Sequence, residues 1–143
     1  MLGGLNIVSV SEMLVAFNPW WKESFGLAFC PRTIYGEIRR FHPLPQIIAF
    51  TGLRRAGKST LLLKVVHDEI AAGRDPKSIM YFSFDEFKGT EPIELLKTYF
   101  ELTGKDVSKE KTLLLFDEIQ KADDWENKIK TVYDLYKGKA KIY

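Results

Sequence analysis

The sequence predicts a three-layer α/β fold built on a parallel sheet, and three observations point there. From Gln46 onward, short apolar runs alternate with amphipathic helical stretches, which is the rhythm of a parallel sheet with helical crossovers. A glycine-flanked loop, GLRRAGKS from Gly52 to Ser59, lies between the first of those runs and the helix after it. A nearly continuous apolar run, TLLLF from Thr112 to Phe116, is of the kind buried on both faces, and it ends in the adjacent acids Asp117 and Glu118.

Residues 1–45 read as an irregular, partly helical lead-in, because Pro19, Pro31, Pro43 and Pro45 interrupt any long periodic element. A short helix is expected from about Ser11 to Phe17, ended by Pro19, and NPWW at 18–21 reads as an aromatic cap over the core. A second helix starts near Pro31 and should carry Ile34, Tyr35 and Ile38 inward. The remainder, 46–143, reads as the core domain. Its first strand is Ile47 to Phe50, and a helix from Lys58 to Ala72 stops at Gly73. Ile79 to Phe84 is the second strand. A helix after Pro92 places Leu95, Leu96, Tyr99 and Phe100 at helical spacing and ends at Gly104. Thr112 to Phe116 is the third strand. Asp123 or Asp124 caps a last helix with Trp125, Ile129, Val132, Tyr133 and Tyr136 on one side. AKIY at 140–143 opens a fourth strand, within which the sequence stops.

Composition narrows the function classes. With 143 residues, 45% of them hydrophobic, the chain can bury one real core without disulfides, and its single Cys30 could form no internal bridge. A net charge of +2, from 21 basic and 19 acidic residues, gives no electrostatic footprint for nucleic acid. No apolar run approaches the ~20 residues of a membrane helix, and the N-terminus lacks the basic flank of a secretory signal, so a cytoplasmic protein is expected.

The loop satisfies G-x-x-x-x-G-K-[ST], a phosphate-binding pattern, in the strand-to-helix context its mechanism requires. Its backbone, from Gly52 through Leu53, Arg54, Arg55 and Ala56 to Gly57, can curl so that successive N–H groups meet phosphate oxygens. Lys58 can reach the β- and γ-phosphates of a nucleotide, and the Ser59 hydroxyl can ligate the Mg²⁺ that bridges them. Arg54 and Arg55 read as solvent-facing side chains that raise the local positive potential. At the carboxyl end of a parallel strand Asp117 emerges beside that loop and can hold Mg²⁺, while Glu118 can act as general base toward water. Gln120 either senses the γ-phosphate or caps the turn, and the cap is preferred. His42 and His67 stand apart from any metal-ligand set. Asp85 and Glu86 read as solvated rim residues or a partner contact.

PRTIYGEI, IIAFTGLRRAGKSTLL, YFSFDE and LLLFDEIQK, in this order, resemble the AAA-type archaeal and bacterial P-loop ATPases. The resemblance implies an ATP-binding domain with Mg²⁺-dependent hydrolysis of the γ-phosphate in the complete protein. It implies a sheet of the additional-strand, catalytic-glutamate class, here truncated within the fourth strand. Gly52, Gly57, Lys58, Ser59 and Thr60 would surround the phosphates, with Asp117 on Mg²⁺ and Glu118 as base. Pro31 and Arg32 would lie against the adenine. An incompletely filled sheet edge would suit a protein partner or self-association, so a nucleotide-dependent interaction module without turnover is the alternative. A small P-loop kinase is disfavoured for want of an acceptor-binding motif. A GTPase is weaker still, since NKIK at 127–130 lacks the acid of a guanine selector.

Overall fold

Thr112–Asp117 (β2) is buried at every residue, and it is the centre of a parallel three-stranded sheet. Ile79–Ser83 (β1) flanks it on one side, with Ser83 opposite Asp117. Ala140–Ile142 (β3) flanks it on the other, with Ile142 opposite Leu114. The computed structural model describes residues 9–27, 33–52 and 57–143. Its helices are Val10–Phe17 (α1), Thr33–Phe41 (α2), Lys58–Ala71 (α3), Pro92–Thr103 (α4) and Trp125–Tyr136 (α5). None of these is long and apolar enough to cross a membrane.

Strand alternation divides the core. Met80, Phe82, Leu114, Phe116 and Ile142 face a layer built from α1, α4 and α5, where Leu14, Leu95, Tyr99 and Val132 are fully buried. Ile79, Tyr81, Leu113 and Leu115 face the opposite way, onto Leu61, Leu62, Val65 and Val66 of α3 and Ile38 of α2. Both faces are therefore covered, which explains why Leu113 to Phe116 are all apolar rather than alternating. Asp117 shares its strand face with Tyr81 and meets α3.

The outer edge of β1 is closed by side chains. Asn18, 1% exposed, accepts from the Tyr81 N–H at 2.7 Å and donates to the Tyr81 carbonyl at 2.9 Å, standing in for a neighbouring strand's peptide group. The indoles of Trp20 and Trp21 both donate to the Ile79 carbonyl, at 3.2 and 2.8 Å. Trp21 also stacks on Tyr99, 5.6 Å between centroids. The aromatic turn is thus a packed cap.

Several local expectations are corrected. Ile47 to Phe50 is not a strand: it runs beside β3 with a single ladder hydrogen bond, from the Ile48 N–H to the Ile142 carbonyl at 3.1 Å. Its partner is only three residues long, and the Lys141 ammonium takes the Leu44 and Gln46 carbonyls, each at 2.6 Å, just before the segment. Ile34 is 53% exposed, because α2 reaches α3 through Tyr35 and Ile38 instead. Phe100 is half exposed, Leu95, Leu96 and Tyr99 having filled the inward side of α4. Asp124 occupies the N-cap position of α5 in a left-handed conformation, but its carboxylate accepts from the Asn127 side chain and caps no backbone group. Cys30, Pro31 and Arg32 lie outside the described residues.

Helix α2 is tied to α3 by polar contacts as well as packing. The Tyr35 hydroxyl donates to Asp68 at 2.6 Å and Lys64 donates to the same carboxylate at 2.8 Å. Burial raises the Asp68 pKa, but the hydrogen bonds from Lys64, Tyr35 and His67 outweigh it and hold the group at about 2. The folded value lies below the unfolded one, so its contribution is complete above about pH 4 and is lost as the pH falls through about 2. Urea midpoints measured across that window are expected to fall less steeply in Asp68→Asn than in the parent protein, whereas equal slopes would remove this carboxylate from the α2–α3 contact.

Asn18→Ala leaves the Tyr81 N–H and carbonyl without their partners at a covered edge. The expected loss is roughly 2 kcal/mol of unfolding free energy. A loss below about 0.5 kcal/mol by urea denaturation would mean that the edge does not depend on this amide.

Candidate functional site

The glycine-flanked loop is described at its two ends. Gly52 has φ 149° and Gly57 φ 83°, conformations that favour glycine, so the pattern's two fixed glycines fall where the backbone asks for them. Leu53, Arg54, Arg55 and Ala56 lie outside the described residues. Lys58 opens α3 and its ammonium donates to the Gly52 carbonyl at 2.9 Å, bridging the loop's ends. Thr60 follows one residue after Ser59 in the same first turn. The unpaired N–H groups of a helix's first turn carry partial positive charge.

The second half of the site comes from the end of β2. Asp117, 6% exposed, accepts two hydroxyls on the same oxygen: Ser59 Oγ at 2.6 Å and Tyr81 OH at 2.5 Å. Burial, and then the Asp117 charge, push the Tyr81 phenol far above its ordinary value, so it remains a hydroxyl donor. Glu118 follows at φ 54°, ψ 34°, a left-handed conformation uncommon for a side-chain-bearing residue. Such strain persists where the surroundings enforce it, and it clusters at active sites.

Glu118 does not hang free. Gln120 donates to its carboxylate at 2.6 Å, so Gln120 holds the neighbouring acid rather than capping the turn. Lys121 lies 4.0 Å from the same oxygen and is paired with Asp85, at the end of β1. Asp85 is therefore an ion-pair partner of this turn.

A cavity of about 340 Å³ joins the two halves. Gly52, Lys58, Asp117, Glu118 and Gln120 contribute its polar groups, and Ile48, Phe50, Trp125, Ile129 and Tyr143 wall it with apolar surface. Few polar groups converging in a largely apolar pocket at the carboxyl ends of parallel strands is the usual setting of a ligand site in this fold class. The Ser59 hydroxyl and the Asp117 carboxylate form an all-oxygen set suited to a hard cation such as Mg²⁺. Among the described residues no three acidic, histidine or cysteine side chains gather as a metal cage.

The histidines behave differently from each other. His67 pairs with its neighbour Asp68, at 3.1 Å, and its ring lies 6.4 Å from that of Phe25. His42 is built into a polar cluster, with Nε2 on Glu69 and Nδ1 2.5 Å from the Tyr143 hydroxyl. Burial lowers its pKa and outweighs the opposite pull of Glu69, favouring a neutral ring, with Nε2 against the Glu69 carboxylate and Nδ1 beside the Tyr143 hydroxyl. Nothing in the local sequence signals this set, because its members are 27 to 101 positions apart.

A family model described as AAA domain matches residues 44–143. The chain belongs to the AAA domain family. As an AAA domain it is an ATPase-like nucleotide-binding domain. Over 91 residues it is 37% identical to a Methanocaldococcus jannaschii protein named Uncharacterized protein MJ1637, an overlap of 62% of this chain and 19% of that protein. The chain thus spans about a fifth of the length of the curated relative it matches. No solved structure matches this AAA domain significantly.

The left-handed Glu118 generates a stability test. A side chain at such φ costs about 1 kcal/mol or more, which glycine avoids at some expense in unfolded-state entropy. Glu118→Gly is expected to leave the unfolding free energy unchanged or raise it by up to about 1 kcal/mol. Destabilisation beyond that, by chemical denaturation, would mean that the Glu118 carboxylate itself holds the turn together.

Proposed function

We propose that this domain binds ATP with Mg²⁺ and that, in the complete protein, it supports hydrolysis of the γ-phosphate. The observation that carries this reading is the convergence of Lys58, Asp117 and Glu118 on one cavity at the carboxyl end of the sheet. Lys58 meets the β- and γ-phosphates as a point charge, with Gly52, Gly57, Ser59 and Thr60 around them and the loop backbone from Leu53 to Ala56 between. Ser59 and Asp117 would hold Mg²⁺, which would supply neutralisation of phosphate charge. Glu118 accepts a proton from a water whose oxygen attacks the γ-phosphorus, and ADP leaves with the bridging oxygen. Pro31 and Arg32 are assigned to the adenine on the family resemblance alone.

We assign the sheet to the additional-strand, catalytic-glutamate class. Support comes from β3 pairing with β2 while the Ile48 N–H donates to Ile142, which sets β3 between β2 and the segment leading into the loop. Residues 46–143 form the nucleotide-binding core in this reading, and 1–45 are the lead-in, whose Asn18, Trp20 and Trp21 close the edge of β1.

A second reading, a nucleotide-dependent interaction module without turnover, is favoured by one feature. The Ile47–Phe50 segment makes a single ladder bond and is exposed at Ala49, so that side of the sheet is open to a protein partner or a second copy.

Calorimetric titration with MgATP, with phosphate release followed on the same samples, tests both. Wild-type protein is expected to bind, and Lys58→Ala is expected to bind roughly ten- to a hundredfold more weakly, since a charge-assisted contact to phosphate is lost. Binding without phosphate release selects the second reading, and no difference between the two proteins sinks the phosphate assignment of Lys58.

A further inference from the structure

The oxygen of Asp117 that receives Ser59 receives Tyr81 as well, and Tyr81 comes from a different strand. The phenol is 7% exposed and its ring packs edge-on against Phe17, 6.0 Å between centroids. Its backbone is held at both polar atoms by the Asn18 amide. A run of hydrogen bonds, each 2.9 Å or shorter, therefore leads from Asn18 through Tyr81 and Asp117 to Ser59 in the first turn of α3.

This arrangement does more than satisfy a buried carboxylate. The Ser59 proton is engaged by Asp117, so the serine oxygen has lone pairs left to offer a cation. How well it offers them depends on where Asp117 stands, and a second donor on the same Asp117 oxygen stops the carboxylate from turning. A phenol on a rigid ring, with two side-chain torsions and a pinned backbone, provides that stop. Outer partners of this kind orient metal-binding groups, and their removal typically costs 10–100-fold in metal affinity or activity.

We propose that Tyr81 is a positioning residue for the divalent cation that accompanies the nucleotide, holding Asp117 so that the Ser59 hydroxyl is presented to the metal. The inference rests on the MgATP reading of the same cavity. It concerns the metal requirement and leaves metal-free nucleotide contacts unchanged. Sequence position gives no hint of it, since Tyr81 reads as an ordinary core residue of an apolar strand.

The test is ATP binding by calorimetry in EDTA and across a Mg²⁺ titration, for wild type and Tyr81→Phe, with urea unfolding of both. Phenylalanine keeps the ring and removes only the donor. The expected result is an unchanged affinity for ATP in EDTA together with a Mg²⁺ requirement raised about tenfold. An equal Mg²⁺ requirement in the two proteins, or an equal loss of affinity with and without Mg²⁺, overturns the proposal. Wild-type binding that ignores Mg²⁺ instead overturns the MgATP reading on which it rests. Should Tyr81→Phe not fold, Tyr81 replaced by 3-fluorotyrosine keeps the hydroxyl and gives a fluorine signal. That signal should move with MgATP and stay fixed with ATP in EDTA; the same response to both would also overturn the proposal.

Discussion

A carboxylate almost sealed from water at the end of a central strand is the constraint around which this domain is arranged. An ionised group taken out of water is costly unless hydrogen bonds replace its hydration. Asp117 meets that requirement with one hydroxyl from α3 and one from β1, so three elements distant in sequence are drawn to a single oxygen. The strand register makes this possible, because it places Tyr81 and Asp117 on the same sheet face, the one α3 covers. The start of α3, and with it Lys58 and the end of the glycine-flanked loop, is thereby set against the end of β2. Packing of Leu61, Leu62, Val65 and Val66 fixes where the helix lies, while the carboxylate fixes how its first turn addresses the strand.

Around that centre the polar side chains fall into two groups with different physical tasks. Glu118, Gln120, Lys121 and Asp85 form a partly exposed set in which a strained acid is held by its neighbours. In such a setting each ion pair contributes little to stability, and its value lies in orientation. Glu69, His42, Tyr143 and the arginines Arg39 and Arg74 form a more buried set joining the far end of α3 to α2 and to the end of the chain's last strand. The His42 ring, set between the Glu69 carboxylate and the Tyr143 hydroxyl, gives that set polar contacts where apolar contacts alone would let the elements slide.

Much of the fold was legible in the sequence because its signals are local. The apolar runs at 79–84 and 112–116 became strands within a residue, and the helices around Leu62, Leu95 and Ile129 fell where their spacing put them. Gly52 and Gly57 proved to have the backbone that their pattern requires. What could not be read depends on partners far along the chain. Ile47–Phe50 has strand composition, yet pairing needs a neighbour of comparable length, and β3 provides three residues. Gln120 has the chemistry of a cap, but the nearest strong acceptor is Glu118. Tyr81, Asp85 and Lys121 acquire their roles only when β1 and the end of β2 are set side by side. Asp124 holds a cap position without capping, since its carboxylate finds Asn127 first. Leu53 to Ala56, Pro31 and Arg32 lie outside the described residues.

The amide of Asn18 has the same donor and acceptor as a peptide group, and together with two indoles it occupies the outward-pointing backbone atoms at positions 79 and 81. Sheet growth is thereby stopped on that flank by three side chains, without another strand. The molecule is consequently polarised: an incoming strand meets a finished border on one flank and a sparsely bonded one on the other.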